Sequence, residues 1–148
     1  MTESITFTVP GEAQPQGSGR AYTYKRKAEK GGGLGARIDS DNPKLKAWRT
    51  LVAWEARRVF RGAALKGPVR LMADCYLPRP KTVKRAVPTV PPDVDKICRG
   101  LADAMTGIVY QDDAQITQIK ITKSYADRGT SPRVVIVVTP LAEEGRLL

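Results

Sequence analysis

Apolar and polar residues first alternate at Ile5, Phe7 and Val9, with Thr6 and Thr8 between them, a period of two that predicts a strand closed by Pro10-Gly11. No comparable period follows from residue 12 to 41, where Lys25-Arg26-Lys27 and Gly31-Gly32-Gly33-Leu34-Gly35 lie among prolines and charges. That stretch reads as a mobile basic arm with short strand pairing around residues 21–24 and 36–38. A helical period begins after Asn42-Pro43, a capping side chain before a proline at the first helical position. Leu45, Trp48, Val52, Ala56 and Val59 form its core stripe, which runs to about Arg61 before Gly62 and Gly67-Pro68 stop it. Trp54 projects to the opposite side beside Arg57, Arg58 and Arg61, a face suited to stacking on DNA or to a dimer contact.

Alternation returns at Val69, Leu71, Ala73, Cys75 and Leu77, a strand ended by Pro78. Residues 78–92 contain Arg79-Pro80-Lys81-Thr82-Val83-Lys84-Arg85 and Pro91-Pro92, too much proline for a helix or central strand, and form a basic loop. Val94, Ile97, Cys98, Leu101 and Met105 recur at helical spacing up to Thr106-Gly107. Strands are expected at 115–123 and 133–139, the second carrying the apolar run Val134-Val135-Ile136-Val137-Val138 typical of a sheet's interior. Residues 142–148 are expected to fray. The order predicts a single α/β (α+β) domain over 1–148, with a mixed sheet of about four to six strands packed on two main helices.

Charge narrows the partner. Lys and Arg outnumber Asp and Glu by 25 to 15, a formal net charge of +10, which favours a polyanion, nucleic acid first, over charge kept only for solubility. No stretch is apolar enough to span a bilayer and Met1-Thr2-Glu3-Ser4 does not open a signal peptide, so a cytoplasmic location is expected. Cys75 and Cys98 lack metal-ligand spacing and read as reduced core thiols. The glycine run lacks the Gly-Lys-Ser/Thr of a phosphate-binding loop and reads as flexible chain.

The chain has no histidine, which excludes Ser-His and Cys-His hydrolysis and leaves three options. These are carboxylates with a metal, a lysine, or a nucleophilic tyrosine among Tyr22, Tyr24, Tyr76, Tyr110 and Tyr125. Five acids, Asp93, Asp95, Asp103, Asp112 and Asp113, fall in one short span of this basic chain. Hard divalent cations such as Mg2+ prefer carboxylate oxygen, and a bound ion supplies the water activation and charge neutralisation that histidine would otherwise serve. On the helix, Asp95, Arg99 and Asp103 share one side; Arg99 is placed for a metal-bound carboxylate or a phosphate, and Asp103 for an i,i+4 pair with Arg99. The plainer alternative remains open, since Asp at a helix start suits the dipole and Asp-Asp is ordinary in turns.

Residues 92–105, Pro-Asp-Val-Asp-Lys-Ile-Cys-Arg-Gly-Leu-Ala-Asp-Ala-Met, followed by Gly107-Ile108-Val109-Tyr110-Gln111-Asp112-Asp113-Ala114-Gln115-Ile116, resemble the RusA-type Holliday junction resolvases. That family's signature is an Asp-x-Asp-Asn/Lys helix start, an Asp-Ala-Leu/Met centre and a later Asp-Asp-x-Gln-Val/Ile. The first strand, the Gly-x-Gly-Arg arm and the Pro-Lys-x-x-x-Trp helix start also fit. The resemblance implies a homodimer that binds four-way junction DNA and, with Mg2+ or Mn2+ as a substitute and no small-molecule cofactor, nicks two opposed strands symmetrically. The ends left would be 5′-phosphate and 3′-hydroxyl, in DNA recombination and repair within a bacterial cell, whether the gene is a phage's or the host's.

Carried over by position, Asp93, Asp95 and Asp113 would be metal-binding catalytic carboxylates assisted by Asp112. Arg99 stands where lysine is usual, which assigns it to phosphate contact or charge stabilisation, and Lys96 replaces a common asparagine and takes part of the lysine's role. DNA-binding groups would be Arg20, Lys25, Arg26, Lys27, Lys81, Lys84, Arg85 and Lys96. The rival expectations are a metal-dependent nuclease for other branched DNA, a non-catalytic junction-binding protein, and tyrosine-based strand transfer.

Overall fold

The computed structural model describes residues 3–17, 20–39 and 42–143. In chain order the elements are β1 (Ile5–Pro10), β2 (Arg20–Lys25), β3 (Leu34–Asp39), α1 (Leu45–Val59), β4 (Val69–Leu77), α2 (Val94–Met105), β5 (Ile116–Tyr125) and β6 (Arg133–Pro140). Short 3-10 turns occur at Ala28–Lys30 and Asp113–Gln115. The valine-rich β6 has a partner on each side, in a sheet of order β1-β6-β4-β5. β6 runs antiparallel to β1 and β4, while β4 and β5 run parallel and are joined through α2. This is the mixed sheet with two main helices that the periodicities predict, in one α+β domain. The pairing expected inside residues 12–41 is a separate antiparallel hairpin of β2 and β3, with Ala21 opposite Ile38 and Tyr24 opposite Gly35.

Period-two patterning explains which sheet face is covered. Ile5, Phe7 and Val9 of β1, Val134, Ile136 and Val138 of β6, and every second residue of β4 from Val69 to Leu77 enter one core. Leu45, Trp48, Val52 and Ala56 of α1, with Ile97, Leu101 and Met105 of α2, complete it. Val135 and Val137 point the other way and are only half-buried. The apolar run thus belongs to an interior strand, yet only one of its faces is fully buried.

Three boundaries differ from expectation. The helix starts at Leu45 rather than Pro43, because Asn42 bonds Lys44 N through its side chain (3.1 Å) and Leu45 N through its carbonyl (3.2 Å), forming a turn ahead of α1. Val59 is 48% exposed at the end of α1 and Val94 is 38% exposed at the start of α2, so neither belongs to the core stripe. Residues 13–16 are also more tied down than the beginning of a mobile arm. Ala13 is buried, Gln16 N donates to Lys96 O at 2.9 Å, and the Asn42 amide donates to Gln14 Oε1 and Pro15 O.

The expected frayed tail lies outside the described residues from residue 144 on, as do Ser18 and Gly19 of the arm. No helix among the described residues is long and apolar enough to cross a membrane.

Candidate active site

The turn after α2 is built around Tyr110. Its ring is fully buried and its hydroxyl donates to Ala102 O at 2.6 Å, tying the turn back onto the helix. Burial pushes the phenol's pKa well above the ordinary value, with the nearby Asp113, Cys98 and Asp103 acting in the same direction. Tyr110 is therefore a structural post and not a nucleophile. The same turn is pinned to the segment before β4, where Leu65 N donates to Val109 O at 2.8 Å and Gln111 N to Leu65 O at 3.3 Å.

Asp112 and Asp113 sit side by side in that turn but do different work. Asp112 caps the Asp113–Gln115 turn: its Oδ1 accepts from Ala114 N (2.9 Å), and Gln115 Oε1 accepts from Asp112 N (2.8 Å). Gln115 also donates to Leu65 O (3.0 Å) and Gly67 O (2.8 Å), so the capped turn is fixed to the fold. Asp113 is exposed, and its carboxyl lies against those of Asp103 and Asp112. Its pKa is raised above the usual carboxylate range, first by partial desolvation, then by hydrogen bonding to Asp103 and Asp112 and by their negative charge.

Asp103 thus belongs to this acidic group, which corrects the expectation that it pairs with Arg99. Among the described residues the salt bridges are Arg58–Glu55 and Lys96–Asp93. Instead, Asp103 Oδ2 accepts a hydrogen bond from Gln16 Nε2. Gln16 is a residue that sequence reasoning missed, because nothing local marks a glutamine inside a Gly/Pro-rich arm as a neighbour of α2.

Asp93 and Asp95 occupy the other end of α2. Asp93 holds the N-cap position, but its side chain makes no capping bond and stands 3.6 Å from Lys96 Nζ. Its carboxylate is thus not used as a hydrogen-bonding cap. Asp95 is exposed in the first turn and contributes to raising the Cys98 thiol's pKa, which burial raises most. Lys123 on β5 donates to Val90 O (2.7 Å) and Pro92 O (3.0 Å), fixing the loop that delivers Asp93. Arg99 is exposed between the two acidic ends. From Asp95 to Asp103 is eight residues, about 12 Å at the rise of an α-helix.

That spacing bears on metal binding. Carboxylates are the right donors for Mg2+, and Gln16 Oε1, buried beside Asp103 without a hydrogen-bond partner, is another hard oxygen. The neighbouring carboxyls that raise the Asp113 pKa are also what a divalent cation would relieve. The donor chemistry therefore fits such an ion. Among the described residues, however, no three acids or cysteines already stand as a ligand set.

The expected DNA contacts form two exposed regions. Lys25, Arg26 and Lys27 border a concavity with Tyr24 and Glu29 at the hairpin; the side chain of Arg20 lies outside the described residues. Lys81 and Lys84 are exposed on the loop before α2. Arg85 on that loop is partly engaged, with Nε donating to the Tyr125 hydroxyl at 2.8 Å while Arg79 stacks 4.6 Å from the Tyr125 ring. The sequence also did not single out Lys46 and Arg49, which share a groove of about 430 Å³ with Asp103, Asn42 and Thr50. Their spacing of three along α1 was the available signal.

Comparison with known proteins agrees with the motif. The family model for Endodeoxyribonuclease RusA matches residues 12–139. The chain is also 30% identical to the uncharacterized protein YqaN of Bacillus subtilis (strain 168) over 148 aligned positions, covering 92% of this chain and 96% of that protein.

Proposed function

Because the chain belongs to the RusA endodeoxyribonuclease family, and is thus of a nuclease lineage, we propose that it is a Mg2+-dependent enzyme that resolves four-way DNA junctions by paired, symmetric nicks. The observation that carries this reading is the acidic group in which the carboxyls of Asp103 and Asp112 lie against that of Asp113, on a chain of net charge +10. Asp93, Asp95 and Asp113 are the proposed ligands, with Asp112 assisting while it caps its turn, and Mn2+ is a proposed substitute. A bound divalent ion would polarise the scissile phosphate, lower the pKa of an attacking water and leave 5′-phosphate and 3′-hydroxyl ends. Arg99, Lys96, Lys46 and Arg49 would hold the flanking phosphates, with the hairpin and the loop before α2 gripping the arms.

A homodimer is part of the same proposal, because paired nicks need two sites. Asp95 and Asp103, the latter lying against Asp113, are about 12 Å apart along α2, long beside metal–oxygen bonds of about 2 Å, which favours ligands drawn from two copies. A second copy would bring Asp93 and Asp95 of one protomer to Asp113 of its partner, giving two equivalent sites and two nicks.

A supercoiled plasmid that extrudes a cruciform tests both proposals. Wild type is expected to linearise it. Homodimers of Asp95→Asn or Asp113→Asn are expected to leave it intact, while a mixed dimer of the two variants regains one site and yields nicked circles. A fully inactive mixed dimer would place each site within one chain, and an intact plasmid with wild type would reject junction resolution. Junction affinity is also expected to fall steeply between 50 and 200 mM salt, by roughly 10³-fold or more for six or more phosphate contacts. A flat response in a binding titration would remove the proposed arm and loop contacts.

A further inference from the structure

Residues 13–16 cross α2 as a strap. Gln16 N donates to Lys96 O at 2.9 Å, so the strap is fastened to the helix backbone one turn after its start. Gly100 is where it passes: a Cβ added there would stand 3.4 Å from Gln14 O and 3.7 Å from Gln16 Cβ. The Asn42 amide closes the other side by donating to Gln14 Oε1 (3.1 Å) and Pro15 O (3.0 Å). These contacts set the Gln16 side chain in one place, where Nε2 donates to Asp103 Oδ2 and Oε1 is buried without a hydrogen-bond partner.

A carboxylate that shares a site with other carboxylates turns away from them unless something holds it. Gln16 supplies that restraint from outside the acidic group, and a neutral amide does so without adding charge. From these contacts we infer that Gln16 is a positioning residue for the carboxylate site, holding Asp103 so that its carboxyl faces Asp113. The inference deepens the metal-dependent reading above and rests on it. Outer groups of this kind typically carry about 10- to 100-fold in metal affinity or activity.

The test is Gln16→Met, which keeps the length and unbranched shape and the backbone bond to Lys96 but removes the amide. Binding of Mn2+ to the DNA-free protein, read by electron paramagnetic resonance, is expected to weaken about tenfold or more. The Mg2+ concentration for half-maximal junction nicking is expected to rise by a similar factor. Junction binding without metal and the thermal midpoint are expected to stay at wild-type values.

Gln16→Asn, which withdraws the amide by one methylene, is expected to show the same losses and carries the comparison if Gln16→Met melts early. In an Asp103→Asn background, Gln16→Met should add no further loss, because the effect passes through Asp103. Wild-type Mn2+ affinity in both Gln16 variants, or losses that add fully to those of Asp103→Asn, would overturn the positioning role. A wild-type protein that neither binds Mn2+ nor nicks DNA would instead bring down the metal-dependent reading and this inference with it.

Discussion

Asp113→Asn is expected to abolish junction cutting while junction binding survives or tightens. Metal stabilisation of a phosphoryl transfer is worth several kcal/mol, and each 1.4 kcal/mol is a factor of ten in rate, so the loss is about 10²- to 10⁴-fold. Binding persists because the substitution removes one negative charge from a surface that meets phosphate. Asp93→Asn and Asp95→Asn are expected to behave alike. Single-turnover nicking beside a gel-shift titration separates the two effects, and normal cutting by any of these variants would take that residue out of the site.

Stability should move the other way. The Asp113 pKa is raised in the fold, so its contribution to stability is complete at low pH and is lost as pH rises through the folded value. At neutral pH its ionised carboxylate is a net cost, and Asp113→Asn is expected to melt slightly higher than wild type in metal-free buffer. The same substitution should leave the midpoint nearly unchanged well below the carboxylate range.

Tyr110→Ala is expected to be the most destabilising substitution near the site. The ring is fully buried and its hydroxyl satisfies Ala102 O, and emptying a large aromatic site in a core costs about 3–5 kcal/mol. Against a total of roughly 5–15 kcal/mol for a domain, that is about a fifth or more of the whole. Tyr110→Phe, which keeps the packing and loses one bond, should cost only about 1 kcal/mol. Urea unfolding midpoints check both. Because the Tyr110 side chain is what ties the turn back to Ala102 O, the alanine variant should also loosen the turn that carries Asp112 and Asp113, and cut more slowly even where it remains folded.

What sequence reveals about this chain depends on range. The strands β1, β4 and β6 and the stripes of α1 and α2 are local patterns, in which a residue and its neighbour two, three or four places on share a face. They were legible with boundaries wrong by a residue or two, as at Pro43, Val59 and Val94. The carboxylates at 93, 95, 112 and 113 were legible for a different reason: their chemistry is conspicuous in a basic chain without histidine, and their order resembles a known motif.

What stayed hidden depends on residues far apart in sequence. Gln16 and Asp103 lie 87 positions apart, and Lys123 reaches Val90 and Pro92 across 33 and 31 positions. Periodicity is silent about such pairs. Sequence also treated the aspartates as one cluster, whereas the length of α2 divides them into two ends. That division is why the mixed-dimer test, which asks whether one site draws on two copies, is part of the functional proposal.

The most direct measurement is nicking of three end-labelled substrates in parallel, a mobile four-way junction, a flap and a linear duplex, each with and without Mg2+. Two symmetric nicks in opposed strands of the junction, only with Mg2+ and with flap and duplex left intact, are the predicted result. Equal cutting of the flap, or junction binding without any Mg2+-dependent nick, would contradict it.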